Sequence, residues 1–280
     1  MSRRLLVSLW GVSILLGIFA LMAADPLRPA DRDAADGLYQ DGNWREAYDI
    51  YSRLALDASN RGPLLARDFR LAIDCLVQPN RHLDTDAFRE QVLEAHPEEW
   101  RQLPAAAESL PDREHRGWIV AGEFHRGGRR GGGEFANATE RDRTRALQLL
   151  VQATPLVERS NDPAHDRAEF FRTFARAVLM DRDHDDAWRL QSLTDLTTLP
   201  DYEQGRFWGH GGDRQGAPVD AEGNPVCYKV PESFDAATSD GERWRWCLAQ
   251  MAAQETSLQA EADWTFAEFL HSQFGVQTMR

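Results

Sequence analysis

Apolar residues recur at the spacing of one helix face through most of the chain. Leu65, Phe69, Ala72, Ile73 and Leu76 form one stripe. Ala146, Leu149, Leu150, Ala153 and Val157 form a second, and Leu258, Ala262, Phe266, Phe269 and Leu270 a third. Steps of three and four residues place each set on one side of a helix, and burying that side needs a neighbouring helix. The expected fold is therefore mainly α. Helix starts are marked as well. Thr139-x-x-Asp142 and Ser239-x-x-Glu242 read as capping boxes, and Asp162 before Pro163 reads as a cap followed by proline at the first helical position. At 280 residues and 42 % apolar composition the chain can bury a sizeable core, in one large or two small domains.

Two stretches break the helical pattern. Residues 199–232 are rich in glycine and proline. Within them Ala217–Val219 and Val226–Val230 flank a turn through Glu222, Gly223, Asn224 and Pro225, which predicts a small β-hairpin inserted between helices. Phe207, Trp208 and Tyr228 are expected to pack this insertion on the helical body. The second stretch, Arg126–Gly133, holds three arginines and five glycines. A phosphate-binding P-loop needs Lys-Ser/Thr after its glycines, but Glu134 and Phe135 follow here. The expectation is an inter-helix loop in which Arg126, Arg129 and Arg130 form a partner-docking surface.

The N-terminus indicates export. Arg3 and Arg4 precede an uncharged run, Leu5–Ala24, long enough to cross a bilayer core of about 30 Å. It reads as an apolar helix serving as a signal-anchor, or as a signal peptide cleaved near residue 24. Either way the basic head stays cytoplasmic and the remainder is exported. The formal charge is −13, with a single lysine, Lys229. Such an acidic chain repels polyphosphate overall, so nucleic acid is not an expected partner; binding through residues 126–133 is the weakest of the alternatives. The odd cysteine count, Cys75, Cys227 and Cys247, leaves at least one thiol unpaired within the chain. Three half-buried thiols are the preferred reading, and Cys227–Cys247 is the candidate disulfide.

Signatures of chemistry are sparse. Asp181, Asp183 and Asp185 alternate as in a calcium loop, but Asp186 and Ser192 stand where glycine and glutamate are required. They read as an acidic turn before a helix near Ala187. His210 lies between glycines near Asp213, and no nucleophile-elbow sequence accompanies it. An envelope enzyme with 199–232 as an active-site lid is the alternative this motivates. No catalytic residue, cofactor or metal is expected. Trp44, Trp188, Trp244, Trp246 and Trp264 fall on predicted helices, where aromatics mostly pack a core.

Residues 35–57, "ADGLYQDGNWREAYDIYSRLALD", resemble a tetratricopeptide repeat in the second half. Ala47 and Tyr51 give its small-x3-aromatic step, Gly42 the turn and Trp44 the start of the next helix; Asp31 departs from the usual aromatic. Phe171, Phe174, Ala175, Val178 and Ala187 give a second, partial match, which Gln191 breaks. Most of 35–280 is similar to the N-terminal helical region of large exported bacterial alpha-2-macroglobulin-like proteins. The strings that carry it are "RALQLLVQATPLV", "AWRLQSLTDLTTLPDYEQG", "GAPVDAEGNPVCYKVPESFDAA", "DGERWRWCLAQ" and "FLHSQFGVQTM". That resemblance implies a neighbourhood of protease-trapping machinery. No Cys-x-Glu-Gln thioester sequence is present, so no trap residue carries over. The resemblance is compatible with a truncated product, a separate module or a fragment of a longer protein.

The expected organisation is a signal segment at 1–24, a spacer at 25–34 and a tetratricopeptide-like helical array at 35–198. The insertion at 199–232 and C-terminal helices at 233–280 complete it. The expected role is a non-catalytic scaffold in the cell envelope, docking a protein partner of alpha-2-macroglobulin-like type. It would be held to the inner membrane through residues 5–24 and face the periplasm, or lie free in the periplasm after cleavage.

Overall fold

A computed structural model describes residues 29–78, 83–110, 114–128, 130–182, 184–204 and 216–275. The apolar segment 5–24 lies outside them, as do Phe207, Trp208, His210 and Asp213. Among the described residues no helix is long and apolar enough to cross a membrane.

The chain is mainly helical. Five helices come first: α1 Pro29–Gln40, α2 Trp44–Leu56, α3 Gly62–Val77, α4 Leu83–Ala95 and α5 Gln102–Glu108. Three strands follow, β1 Arg116–Val120, β2 Glu123–Arg126 and β3 Glu134–Asn137. Then come α6 Thr139–Arg159, α7 Ala164–Leu179, a 3-10 segment at His184–Gln191 and a short β4 at Glu203–Gln204. Last are α8 Asp240–Gln254, a 3-10 turn at Thr256–Leu258 and α9 Gln259–Phe274. Helices pack mostly on their sequence neighbours: α1 on α2, α2 on α3, α6 on α7, α7 on α8 and α8 on α9. The short α5 is the exception, touching α3, α6 and α7.

The first helix pair shows how the sequence achieves this. Ala35 and Ala47 are fully buried, so the α1 and α2 backbones approach closely, and the buried Tyr51 fills the space one turn on. Gly42 (φ +76°) makes the turn between them, donating to the Tyr39 carbonyl at 3.1 Å. Trp44 then meets the Tyr39 ring edge-on at 5.0 Å. The Tyr51 hydroxyl donates to Asp36, which also accepts from Arg67 of α3 at 2.6 Å. Arg32 and Asn60 donate to the fully buried Asp68 of α3 at 2.9 and 3.0 Å. These bonds explain why residues 29–34, part of the stretch expected as a spacer, join the fold. Its Pro29 needs no N–H in a first turn, and Arg32 neutralises a buried carboxylate.

The β-structure sits elsewhere than expected. β1, β2 and β3 lie between α5 and α6 in one antiparallel sheet, to which β4, from the 199–232 stretch, adds an edge, giving the order β2-β1-β3-β4. Trp118 pairs with His125 across one side and with Phe135 across the other. Ala121 and Gly122 take φ values of +52° and +86°, the left-handed pair of a two-residue hairpin turn. Thus the Arg/Gly stretch connects two strands rather than two helices. The hairpin expected at 217–230 contracts to one bridge, Val219 with Pro225. Asp220 collects the turn's amides, accepting from the backbone N–H of Glu222 at 3.0 Å and Asn224 at 2.7 Å, and Pro225 has no N–H to extend a ladder.

Helix starts also differ in part. Ser239 caps α8 as expected, accepting from the Glu242 N–H at 3.2 Å. The Glu242 carboxylate reaches one residue further back, to the Thr238 N–H at 2.7 Å. Thr139 is helical rather than a cap, and Asn137 accepts from its N–H at 3.0 Å. Asp162 does not cap α7, which begins at Ala164; it turns instead to Trp100 and Arg101. Ala187 and Trp188 lie on the 3-10 segment, not an α-helix. Trp244 and Trp246 are core residues, whereas Trp264 is 67 % exposed.

Candidate functional site

The expected docking loop does not hold together as a surface. Arg126 ends β2, and its side chain is 4 % exposed. It donates to Asp142 of α6 at 2.7 and 2.9 Å and to Asp86 of α4 at 3.0 Å. Burial would lower the guanidinium pKa, but these carboxylates outweigh it and raise it. Burial likewise pushes the Asp142 carboxyl up, and hydrogen bonds from His115 and Arg126 hold it below its ordinary range. Arg126 therefore fastens the sheet to two helices and cannot meet a partner. Arg130 is exposed on the loop, and Arg129 lies outside the described residues.

The candidate disulfide does not form either. Cys75, Cys227 and Cys247 are all free. Cys247 is buried on the core face of α8, while Cys227 is exposed beside the buried Tyr228. Burial pushes the Cys75 thiol up to about 12, with Asp74 adding to it, and raises Cys247 as well, so both are poor nucleophiles.

A concave site appears where the sequence carried no motif. Because α5 bridges α3 and α7, a cleft of about 540 Å³ opens along the three helices. It is lined by Ile73 of α3, Ala105 and Ala107 of α5, Ala177 of α7 and Met180 just past its end. A second cleft of about 360 Å³ lies next to it, over Pro63, Ala66, Trp100, Pro104 and Phe170. Arg70, Glu108, Thr173 and Arg176 line both, so the two form one groove. The small side chains explain its depth: Ala66, Ala105, Ala107 and Ala177 fill little volume between the helix axes.

Polar groups ring this groove. Arg70 donates to Glu108 at 2.8 Å, and Glu108 accepts from the Thr173 hydroxyl at 3.0 Å. At one end Arg101 bridges Asp162 and Asp166 at 2.9 and 2.5 Å, and the Trp100 indole N–H donates to Asp162 at 2.7 Å. Burial would raise the Asp162 carboxyl; the Trp100 and Arg101 hydrogen bonds lower it. The adjoining corner is fixed by His96, which is buried. Arg61 approaches its Nδ1 at 3.1 Å and can only donate, so Nδ1 is the acceptor and Nε2–H donates to the Ala55 carbonyl at 2.8 Å. Glu99 accepts from the Gly62 N–H at 3.0 Å, joining the α4–α5 and α2–α3 connections. The result is a groove with one mostly apolar cleft, one more polar cleft and charged side chains between them, suited to receiving side chains of an extended segment. Among the described residues no group of histidine, cysteine and carboxylate side chains could hold a metal ion.

The groove has no motif in the sequence, because its residues are unremarkable singly. The one signal was the small-residue composition of α5, "QLPAAAE". No protein-family model, curated protein or solved structure gives a significant match to the chain.

Proposed function

We propose that the protein is a non-catalytic, exported helical scaffold that docks an extended segment of a protein partner in the α3–α5–α7 groove. The observation that carries this reading is the groove: two adjoining clefts across three helices, the larger one mostly apolar, that share Arg70, Glu108, Thr173 and Arg176. Helical arrays of tetratricopeptide type present such concave faces, and residues 35–57 and 171–187 resemble that repeat. The resemblance to the N-terminal region of alpha-2-macroglobulin-like proteins favours an envelope partner of that machinery. The basic head and apolar run at 1–24 favour the inner membrane or periplasm as its place of work.

A photo-crosslinking amino acid placed at Met180 or Arg176 in cells tests this. Groove positions are expected to give one discrete protein adduct, and a control position at Asp263 on α9 none. Equal, diffuse labelling from all three would remove the case for the groove.

A further inference from the structure

The groove's charges are unequally engaged. Glu108 is held by Arg70 and Thr173, Asp166 by Arg101, and Glu169 by Arg172. Asp74 is not free either. Arg176 lines both clefts, is exposed, and has no carboxylate partner among the described residues. The wall of the groove thus carries an uncommitted guanidinium while each of its acids already has a partner, Arg101 and Arg172 serving two carboxylates each. Arginine is a fixed cation with a planar fork of donors matched to a carboxylate. The cleft below it is lined by the half-buried Met180 and by Ala177, with the buried Ile73, Ala105 and Ala107 behind them, and its volume of about 540 Å³ leaves room for a bulky apolar side chain.

We infer that the groove selects an extended peptide segment carrying an acidic side chain next to a large aliphatic or aromatic one. The carboxylate pairs with Arg176 and the apolar neighbour enters the cleft between α3 and α7. This specificity rests on the docking reading of the groove. A basic segment is disfavoured, because it would bring a second cation to Arg176 while the wall carboxylates already have partners.

Panning the full-length chain in detergent micelles against a random heptapeptide display library tests the inference. Enriched peptides are expected to pair Asp or Glu with Leu, Ile, Phe or Met. For one such peptide, labelled with fluorescein and followed by anisotropy, exchanging its acid for the amide should weaken binding at least tenfold. Arg176→Ala should do the same, and Arg176→Glu should restore binding to the lysine-bearing version of the peptide. Thr173→Tyr, which fills the groove where both clefts meet, should abolish binding; thermal melts establish that each variant is folded. Enriched peptides that lack acids yet are lost with Thr173→Tyr would overturn the acidic occupant and keep the groove as the dock. Peptides indifferent to Thr173→Tyr, or no enrichment at all, would overturn both.

Discussion

Gly241 stands at the start of α8 with the Tyr228 ring against its α-carbon. A Cβ there would lie 2.3 Å from a ring carbon, and Tyr228 is itself buried. That contact presses the 216–239 segment onto the helical body. Gly241→Ala is expected to destabilise by about 1–3 kcal/mol through overpacking. Urea denaturation of the single variant, Tyr228→Ala and the double checks it, since the clash must vanish once the ring is gone. Arg126 illustrates a different cost. Arg126→Met leaves a buried carboxylate at Asp142 and should cost on the order of 3–5 kcal/mol, while Arg126→Met with Asp142→Leu should recover much of the loss. A double variant no more stable than the single would show that the pair is not what holds the sheet. Nothing near Arg126 in sequence reveals this role. His125 precedes it and glycines follow, and its partners lie 40 and 16 residues away.

At the scale of the element, legibility followed how local the determinant is. The stripe on α3 was readable because Leu65, Phe69, Ala72, Ile73 and Leu76 repeat within one helix, and all five are buried. The α1–α2 pair was readable because Ala47, Tyr51 and Gly42 act within a short span. Ala47→Leu is accordingly expected to force α1 and α2 apart at a cost of about 1–3 kcal/mol, measured as a lowered melting temperature with helical circular dichroism retained. The three-stranded part of the sheet was not legible. Its strands are four or five residues long, and β1 looks like a brief apolar run until β2 and β3 flank it. Conversely, the turn between Ala217–Val219 and Val226–Val230 promised a hairpin that Asp220 and Pro225 convert into a loop. Capping sequences failed where a longer-range partner competed: Asp142 is drawn to Arg126 and Asp162 to Trp100. The groove was illegible for the same reason, since concavity arises only when α5 is set between α3 and α7.

For the molecule as a whole, acidity works through buried pairs rather than through its net charge. Asp142, Asp240 and Glu140 would each be pushed up by burial, and each is held below its ordinary pKa by an arginine or hydrogen-bonding partner that outweighs it. Asp240 and Arg143 lie at 1 % and 0 % exposure, joining α8 to α6 at 2.8 Å, and Thr194 adds a further hydrogen bond. Glu140 links Arg182 and Arg189 at 2.6 Å each. A carboxyl with a lowered folded pKa contributes stability that is complete above its unfolded value and is lost as pH falls through the folded one. Net charge acts in the opposite sense only above the isoelectric point, near pH 5.1, where protonating acids relieves the repulsion of a chain of −13. Below it the 32 basic side chains leave a growing positive charge, and this also disfavours the compact state, though it is screened over ~8 Å at physiological salt whereas the buried pairs are not. The melting temperature is expected to be nearly flat from pH 7 to about 5 and to fall steeply below pH ~4, where ordinary carboxylates titrate. Asp142→Asn should lower stability at neutral pH and reduce the acid slope, because the titrating group is gone. An acid slope left unchanged by Asp142→Asn would show that the positive charge gained below the isoelectric point, not the buried pairs, sets the acid response.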